Sequence, residues 1–248
     1  MSSLALRAFK PQSGFSERVA ELLDRIDCRP AACAAEREAI FRLRYRAYLS
    51  EGTIKPSFAQ SFTDPYDETD NAWLLGLYLD GELASSIRLH VASAENPDFP
   101  SLKVFAEVLE PELAAGKIII DPTRFVTDKR HSRANPGLPY ATARLAWLAA
   151  EHFDAAHLLA AVRVEHQAFY RRTFNHHVIG EARPYPLLTQ PISLMTVHYA
   201  SVAGRVHRRY PFFRSTFFER RMLFDRGAAV GHMAFPPATV ANGMHHAA

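Results

Sequence analysis

Residues 118–128 read IIIDPTRFVTD, and the reading of this stretch decides the fold. Three isoleucines mark a strand bound for the interior, yet Asp121, Pro122 and Arg124 follow at once. Proline cannot donate to a sheet ladder, so it belongs at an edge or a bulge. In a regular strand, positions three apart point to opposite faces, and one extra residue puts them on the same face. A bulge here predicts that Asp121 and Arg124 meet on one side of a strand that splays open beside them. Such a notch is a way to build a site.

Upstream of this strand, AWLLGLYL and ELASSIRLHVA form a hairpin joined by Asp80-Gly81, the pair that favours a type I′ turn. FAEVLEPELAAG gives a short helix ending near Gly116, and AAEREAIFRLRYRAYL a longer one with Ala39, Ile40, Leu43 and Ala47 on one stripe. SERVAELLDRIDCRPA reads either as a helix face through Val19, Leu22, Leu23 and Ile26 or, in RIDCRPA, as a strand. SEGTIKPSFAQSFTDPYDETDN reads as a loop. Downstream, the polar loop TDKRHSRANPGLPY leads into the helix ATARLAWLAAEHF. The strand HLLAAVR, the helix EHQAFYRRTF and the strand HHVIGEARPY follow. From ISLMTVHY the chain is a strand or helix running into a basic aromatic stretch. The order predicts a mixed α/β sandwich with an antiparallel first half. Residues 1–15 read as a loose arm, 16–226 as one domain and 227–248 as a frayed tail.

At 248 residues and 48% apolar, the chain can bury a sizeable core. Its net charge of +3 suits an acidic partner but falls far short of a dedicated nucleic-acid binder. Cys28 and Cys33, the only cysteines, make neither a zinc site nor a disulfide scaffold. The opening MSSLALRAFKPQSGF has no apolar core followed by a cleavage site, and no apolar run approaches a membrane span. A soluble cytoplasmic protein is expected.

Charged residues recur where a core would prefer aliphatics: Arg44 in RYRAY, Asp64 and Asp67 in DPYD, Arg88 in SIRLH, then Asp121 and Arg124. A charged surface with one structural ion pair would account for most of them. Arg88 argues otherwise, since its strand is apolar enough to be central and a buried guanidinium needs a carboxylate fork to offset its desolvation. The pattern Arg44-x-x-x-Tyr48, Asp64-x-x-Asp67, Arg88, acid-x-x-Arg124 resembles the signature of acyl-homoserine-lactone synthases. The wider sequence, IFRLRYRAYLSEG, DPYDETDNA, DGELASSIRLHV, IIDPTRFV and EHQAFYRR, more closely resembles the N-acyl amino acid synthases, relatives within the GNAT superfamily. The likeness covers roughly residues 16–200.

The resemblance implies a GNAT-like fold, a twisted mixed sheet splayed at its fourth strand, IIIDPTRFV, and flanked by helices. It implies transfer of a fatty acyl group from a phosphopantetheine thioester, on acyl carrier protein or coenzyme A, to the α-amine of an amino acid, with no bound cofactor or metal. Asp121 would take the amine's proton, directly or through water. Tyr170 would protonate the departing thiolate. Arg44, Asp64, Asp67, Arg88 and Arg124 would form an ion-pair network ordering the acceptor pocket. Lys129, Arg130 and Arg133 would sit near the donor's phosphate, where a helix N-terminus favours an anion. For the last three a solvated basic loop is an equal reading, and taken alone Tyr170 reads as a half-buried helix aromatic.

Two departures weaken S-adenosylmethionine, the acceptor of the lactone synthases, without excluding it: Ile54 stands where those enzymes carry tryptophan, and Asp121 where they carry glutamate. A GNAT-like domain that binds acyl groups or a carrier protein without catalysis is the remaining alternative. Twelve histidines form no motif with metal-ligand spacing. In RVHRRYPFFRSTFFERR the phenylalanines read as core cover. The seven arginines from Arg205 to Arg226 suggest partner docking or contact with a membrane surface ahead of nucleic acid.

Overall fold

The structure, a computed structural model, describes residues 14–226. The expected arm and tail lie outside these, apart from Gly14 and Phe15, which cap and open the first helix. The ambiguous segment holds both of its readings: helix α1 (Phe15–Leu23) buries Val19 and Leu22, and strand β1 (Ile26–Pro30) follows. Helix α2 (Ala34–Ser50) comes next, then a loop containing one 3-10 turn, Pro65–Glu68, capped by Asp64. Strands β2 (Ala72–Leu79) and β3 (Glu82–Ala92) meet in the hairpin. Asp80 (φ 51°) and Gly81 (φ 86°) both adopt the left-handed backbone that a type I′ turn requires.

Helix α3 (Leu102–Ala114) leads to strand β4 (Ile119–Thr127). The expected polar loop contains a short helix, α4 (Lys129–Ala134), whose N-terminal N–H groups are satisfied by the Asp128 carboxylate. Helix α5 (Leu138–His152), β5 (His157–Val162), α6 (Gln167–Phe174), β6 (His177–Arg183) and β7 (Ile192–His198) follow, then α7 (Tyr199–Arg209) and α8 (Phe217–Phe224). The seven strands form one sheet in the order β1-β2-β3-β4-β5-β7-β6. Every pairing is antiparallel except β4 with β5.

That exception positions the site. β4 and β5 pair only at Ile119↔His157 and Ile120↔Leu158. Beyond these rungs β4 continues to Thr127 and β5 to Val162, so the strands part into a V. Pro122 lies opposite Leu89 on β3. A proline cannot donate across that pair, so its nitrogen faces β5, where the next rung would need an N–H. The bulge sits two residues beyond the proline. Ser86 pairs with Val126 and Arg88 with Thr123, which leaves Arg124 and Phe125 together opposite Ile87. Arg124 takes the left-handed backbone there, at φ 54°.

One face of the sheet packs against α5, with α1, α7 and α8 closing a core around Trp147, Leu148, Leu89 and Phe213. On the other face α3 covers Ile119, Leu159 and Leu194 through Phe105 and Leu109. Helix α2 packs on β3 and β4 beside it. Within the basic aromatic stretch, Phe212, Phe213 and Phe224 are buried as core cover, while Phe217 and Phe218 are 66% and 59% exposed. Among the described residues no helix is long and apolar enough to cross a membrane.

Candidate active site

The bulge turns Arg124 into a buried cluster of charge. Arg88, with no exposed surface, sits mid-strand on β3 and grips Asp64 with two bonds, Nη1 to Oδ1 at 2.6 Å and Nη2 to Oδ2 at 3.2 Å. Its Nη1 also lies 3.0 Å from Asp67 Oδ1, and its Nε donates to Thr123 Oγ1 at 3.0 Å. Arg124 donates to Asp64 Oδ2 from Nε (3.0 Å) and Nη2 (2.5 Å), and Arg44 on α2 donates to Asp67 Oδ1 at 2.8 Å. Asp67 also accepts from Thr63 Oγ1 and the Asp64 backbone, which closes the DPYD turn. The structure thus brings Arg44, Asp64, Asp67, Arg88 and Arg124 together from four separate segments.

Burial works against both carboxylates, but hydrogen bonds and charge from Arg88 and Arg124 outweigh it at Asp64, and the charges of Arg44 and Arg88 do so at Asp67. Both stay below the usual carboxylate range and ionised. Three guanidiniums meet two carboxylates here, so the cluster carries surplus positive charge. Burial, together with the neighbouring cations, lowers Arg44 to about 10, and burial and Arg88 bring His90 down to about 3, so that it is neutral.

Asp121 lies on the same side as the network but is sealed. It has no exposed surface, and its carboxylate accepts from Ser101 N (3.2 Å) and Ser101 Oγ (2.9 Å) at the head of α3. Burial pushes it up to about 6 despite those bonds and the charge of Arg88. It does not line the cavity described next, so the direct contact expected of it with an amine held there is not what the geometry provides.

The V between β4 and β5 holds a cavity of about 400 Å³. One wall is β4 from Pro122 to Thr127, and another is the end of β5 through Arg163. A third is the end of α2 with Tyr48, Glu51 and Thr53, and a fourth is α6 with Phe169 and Tyr170. Leu188, Gln190 and Ile192 close it from the β6–β7 side, where Thr189 bonds the backbone of Gly52 and Thr53. Arg124 is the network's one member in this wall, its guanidinium stacked over Phe62 at 4.7 Å. Burial pushes the Tyr170 phenol up, so it keeps its proton at neutral pH.

Lys129, Arg130 and Arg133 lie on exposed α4, outside the cavity wall; Lys129 reaches the Ser50 carbonyl at 3.5 Å. Pro139, in the first turn of α5, does line the cavity, so that helix start faces it. Glu51, Arg163 and His166 stand at the mouth and were not singled out from sequence. Arg163 Nη2 lies 2.8 Å from Glu51 Oε2 and 2.7 Å from His166 Nε2. Their one sequence cue is that the apolar run HLLAAVR ends on an arginine. Among the described residues no cluster of metal-ligating side chains occurs.

Comparison with known proteins agrees with this architecture. The structure of FeeM, an N-acyl amino acid synthase from uncultured soil microbes, superposes with a TM-score of 0.62 at 20% identity, covering 76% of this chain and 98% of that one. The AHL synthase LasI matches at TM-score 0.52 and 15% identity over 69% of this chain and 88% of its own. TofI, solved in a ternary complex with an inhibitor and MTA, matches at 0.51 and 15% over 71% and 91%. No curated protein sequence matches. A model of the family described as N-acyl amino acid synthase FeeM matches residues 39–198, more than half of the chain. The V-shaped cleft, the charge cluster behind it and this match lead to one conclusion: the chain belongs to the FeeM N-acyl amino acid synthase family and is an N-acyltransferase.

Proposed function

We propose that the protein moves a fatty acyl group from a phosphopantetheine thioester on acyl carrier protein to the α-amine of an amino acid. The observation that carries this reading is the V. Its two walls are strand edges that no longer pair with each other beyond Ile120 and Leu158, and a cleft between such edges suits the amides of an extended pantetheine arm. The apolar lining, Ala161, Val162, Phe169, Leu188 and Ile192, suits an acyl chain. The start of α5 faces the cavity and favours the donor's phosphate. Exposed Lys129, Arg130 and Arg133 beside it suit an acidic carrier better than coenzyme A alone.

The amine nitrogen attacks the thioester carbonyl, the C–N bond forms and the C–S bond breaks. A bulge takes backbone N–H groups out of the ladder, and those at Arg124–Phe125 would steady the oxyanion. Tyr170, protonated and in the wall, supplies the thiolate's proton. The amine's proton needs a base. His166 Nε2 at the rim lies 2.7 Å from Arg163 Nη2, a donor that only an accepting ring nitrogen can answer, and is one candidate. Asp121 titrates near neutrality, at about 6, but reaches the cavity only through water. Asp121→Asn and His166→Gln separate the two: the variant in which the acidic limb of the kcat/KM profile disappears has lost the base.

The test of the function is direct. The protein is given dodecanoyl carrier protein or dodecanoyl coenzyme A with each amino acid, and separately with S-adenosylmethionine, and products are identified by mass spectrometry. An N-acyl amino acid is expected, formed faster from the carrier thioester. An acyl-homoserine lactone, or no acylated product, overturns the reading.

A further inference from the structure

We infer that Arg163 is the receptor for the acceptor's α-carboxylate, and that Glu51 holds its place until the acceptor arrives. The inference rests on the acyl-to-amine reading above and adds how the acceptor is recognised. Arg163 follows the last residue of β5, where that strand is farthest from β4, and its side chain is 17% exposed. Across the mouth, Glu51 follows the last residue of α2 with a side chain 45% exposed. The pair joins two walls 112 residues apart in sequence.

Three features make Glu51 a displaceable partner. A guanidinium presents a fork that a carboxylate fills with two parallel bonds, yet Glu51 is recorded on a single nitrogen, Nη2. Arg163's remaining contacts are His166 on the same Nη2 and Glu165 from Nε at 3.2 Å, the latter itself largely exposed. Glu51 also stands at the C-terminal end of α2, whose last turn contains no basic residue. A carboxylate there meets the negative end of the helix dipole. An ion pair with one partner in water is weakened by solvent screening, so a substrate carboxylate free of the helix can take the fork.

The other cation of the wall is already committed. Arg124 gives two bonds to Asp64 within the buried cluster. Arg163 is therefore the guanidinium in the wall with a fork to offer. A carboxylate seated there puts the α-amine one carbon away, beside the rim nitrogen of His166.

The experiment compares an amino acid with its decarboxylated amine as acceptor, phenylalanine with phenethylamine first and then the best of the twenty, using dodecanoyl carrier protein. Arg163→Gln should raise the amino acid's KM by about tenfold or more, the loss expected for a charge-assisted pair, and reduce the preference for amino acid over amine by a similar factor. Arg163→Lys, which keeps the charge but not the fork, should recover part of it. Glu51→Gln should lower the amino acid's KM. If Arg163→Gln and Arg163→Lys raise KM only for the acyl donor, or for amino acid and amine alike, the assignment is wrong while the acyltransferase reading stands. If the wild type acylates neither acceptor, the two fall together.

Discussion

Arg88 is a guanidinium with no exposed surface in the middle of a sheet, held by Asp64, Asp67 and Thr123. Truncating it leaves two carboxylates buried with fewer cations. Arg88→Ala should therefore cost about 3–5 kcal/mol, read as a drop in the urea midpoint; a midpoint equal to wild type would contradict the burial. Asp121 has the opposite electrostatics, since burial disfavours its charged form and raises it from 3.8 to about 6. The unfolded chain loses this proton first, so between about 4 and 6 the group's contribution to stability declines as pH rises, and above that range the loss is complete. The stability of Asp121→Asn relative to wild type should rise across the same window and then level off. A difference independent of pH would place Asp121 in a polar setting. Arg88 was legible in the chain because a charge interrupts an apolar strand, and Arg44, Asp64, Asp67 and Arg124 because their spacing from it is shared with a family. Glu51, Arg163 and His166 were not, because an arginine closing an apolar run is an ordinary strand end and Glu51 becomes its neighbour only when α2 and β5 converge.

At the scale of elements, β4 shows how far local rules reach. Its isoleucines and its proline foretold a strand that breaks its ladder, and the ladder to β5 does end just before Pro122. The bulge falls later, at Arg124 and Phe125, because Pro122 is tolerated opposite Leu89 once its nitrogen faces the open side. The α4 helix escaped reading because six residues capped by Asp128 lack any apolar stripe. Strand β6 carries a constraint of a different kind. A Cβ at Gly180 would stand 2.6 Å from a ring carbon of Phe105, a fully buried residue of α3. Gly180→Ala should destabilise by about 1–3 kcal/mol, visible as a lower Tm. Phe105→Leu in the same background should recover part of the loss if the clash is the cause.

For the whole molecule, acid should act in two stages. Burial lowers His90 and His176 to about 3, so the unfolded chain takes up protons first and stability falls as pH drops below 6.5. Below about 4, Asp64 and Asp67 add to the fall, because their depressed pKa values favour the folded state only while they remain ionised. A unfolding free energy that is flat from pH 7 to pH 5 would contradict the first stage. The layered mixed sheet was legible from the order of periodic segments. The meeting of distant chain ends around the cleft was not, since it depends on strand pairings that leave no local trace.

The two rungs between β4 and β5 have one more consequence. They divide the sheet into a four-stranded and a three-stranded antiparallel ribbon, each complete in its own hydrogen bonding and joined along a seam two residues long. A seam so short resists rotation weakly, and α5, which packs on β3, β4 and β5, is what holds the ribbons at a fixed angle. Guests of different girth would then be met by rotation at the seam with both ribbons intact. Among the sheet amides, exchange should be slow for those bonded within each ribbon and faster for those of β4 and β5 that face the cleft beyond Ile120 and Leu158, and an acyl thioester should slow these first.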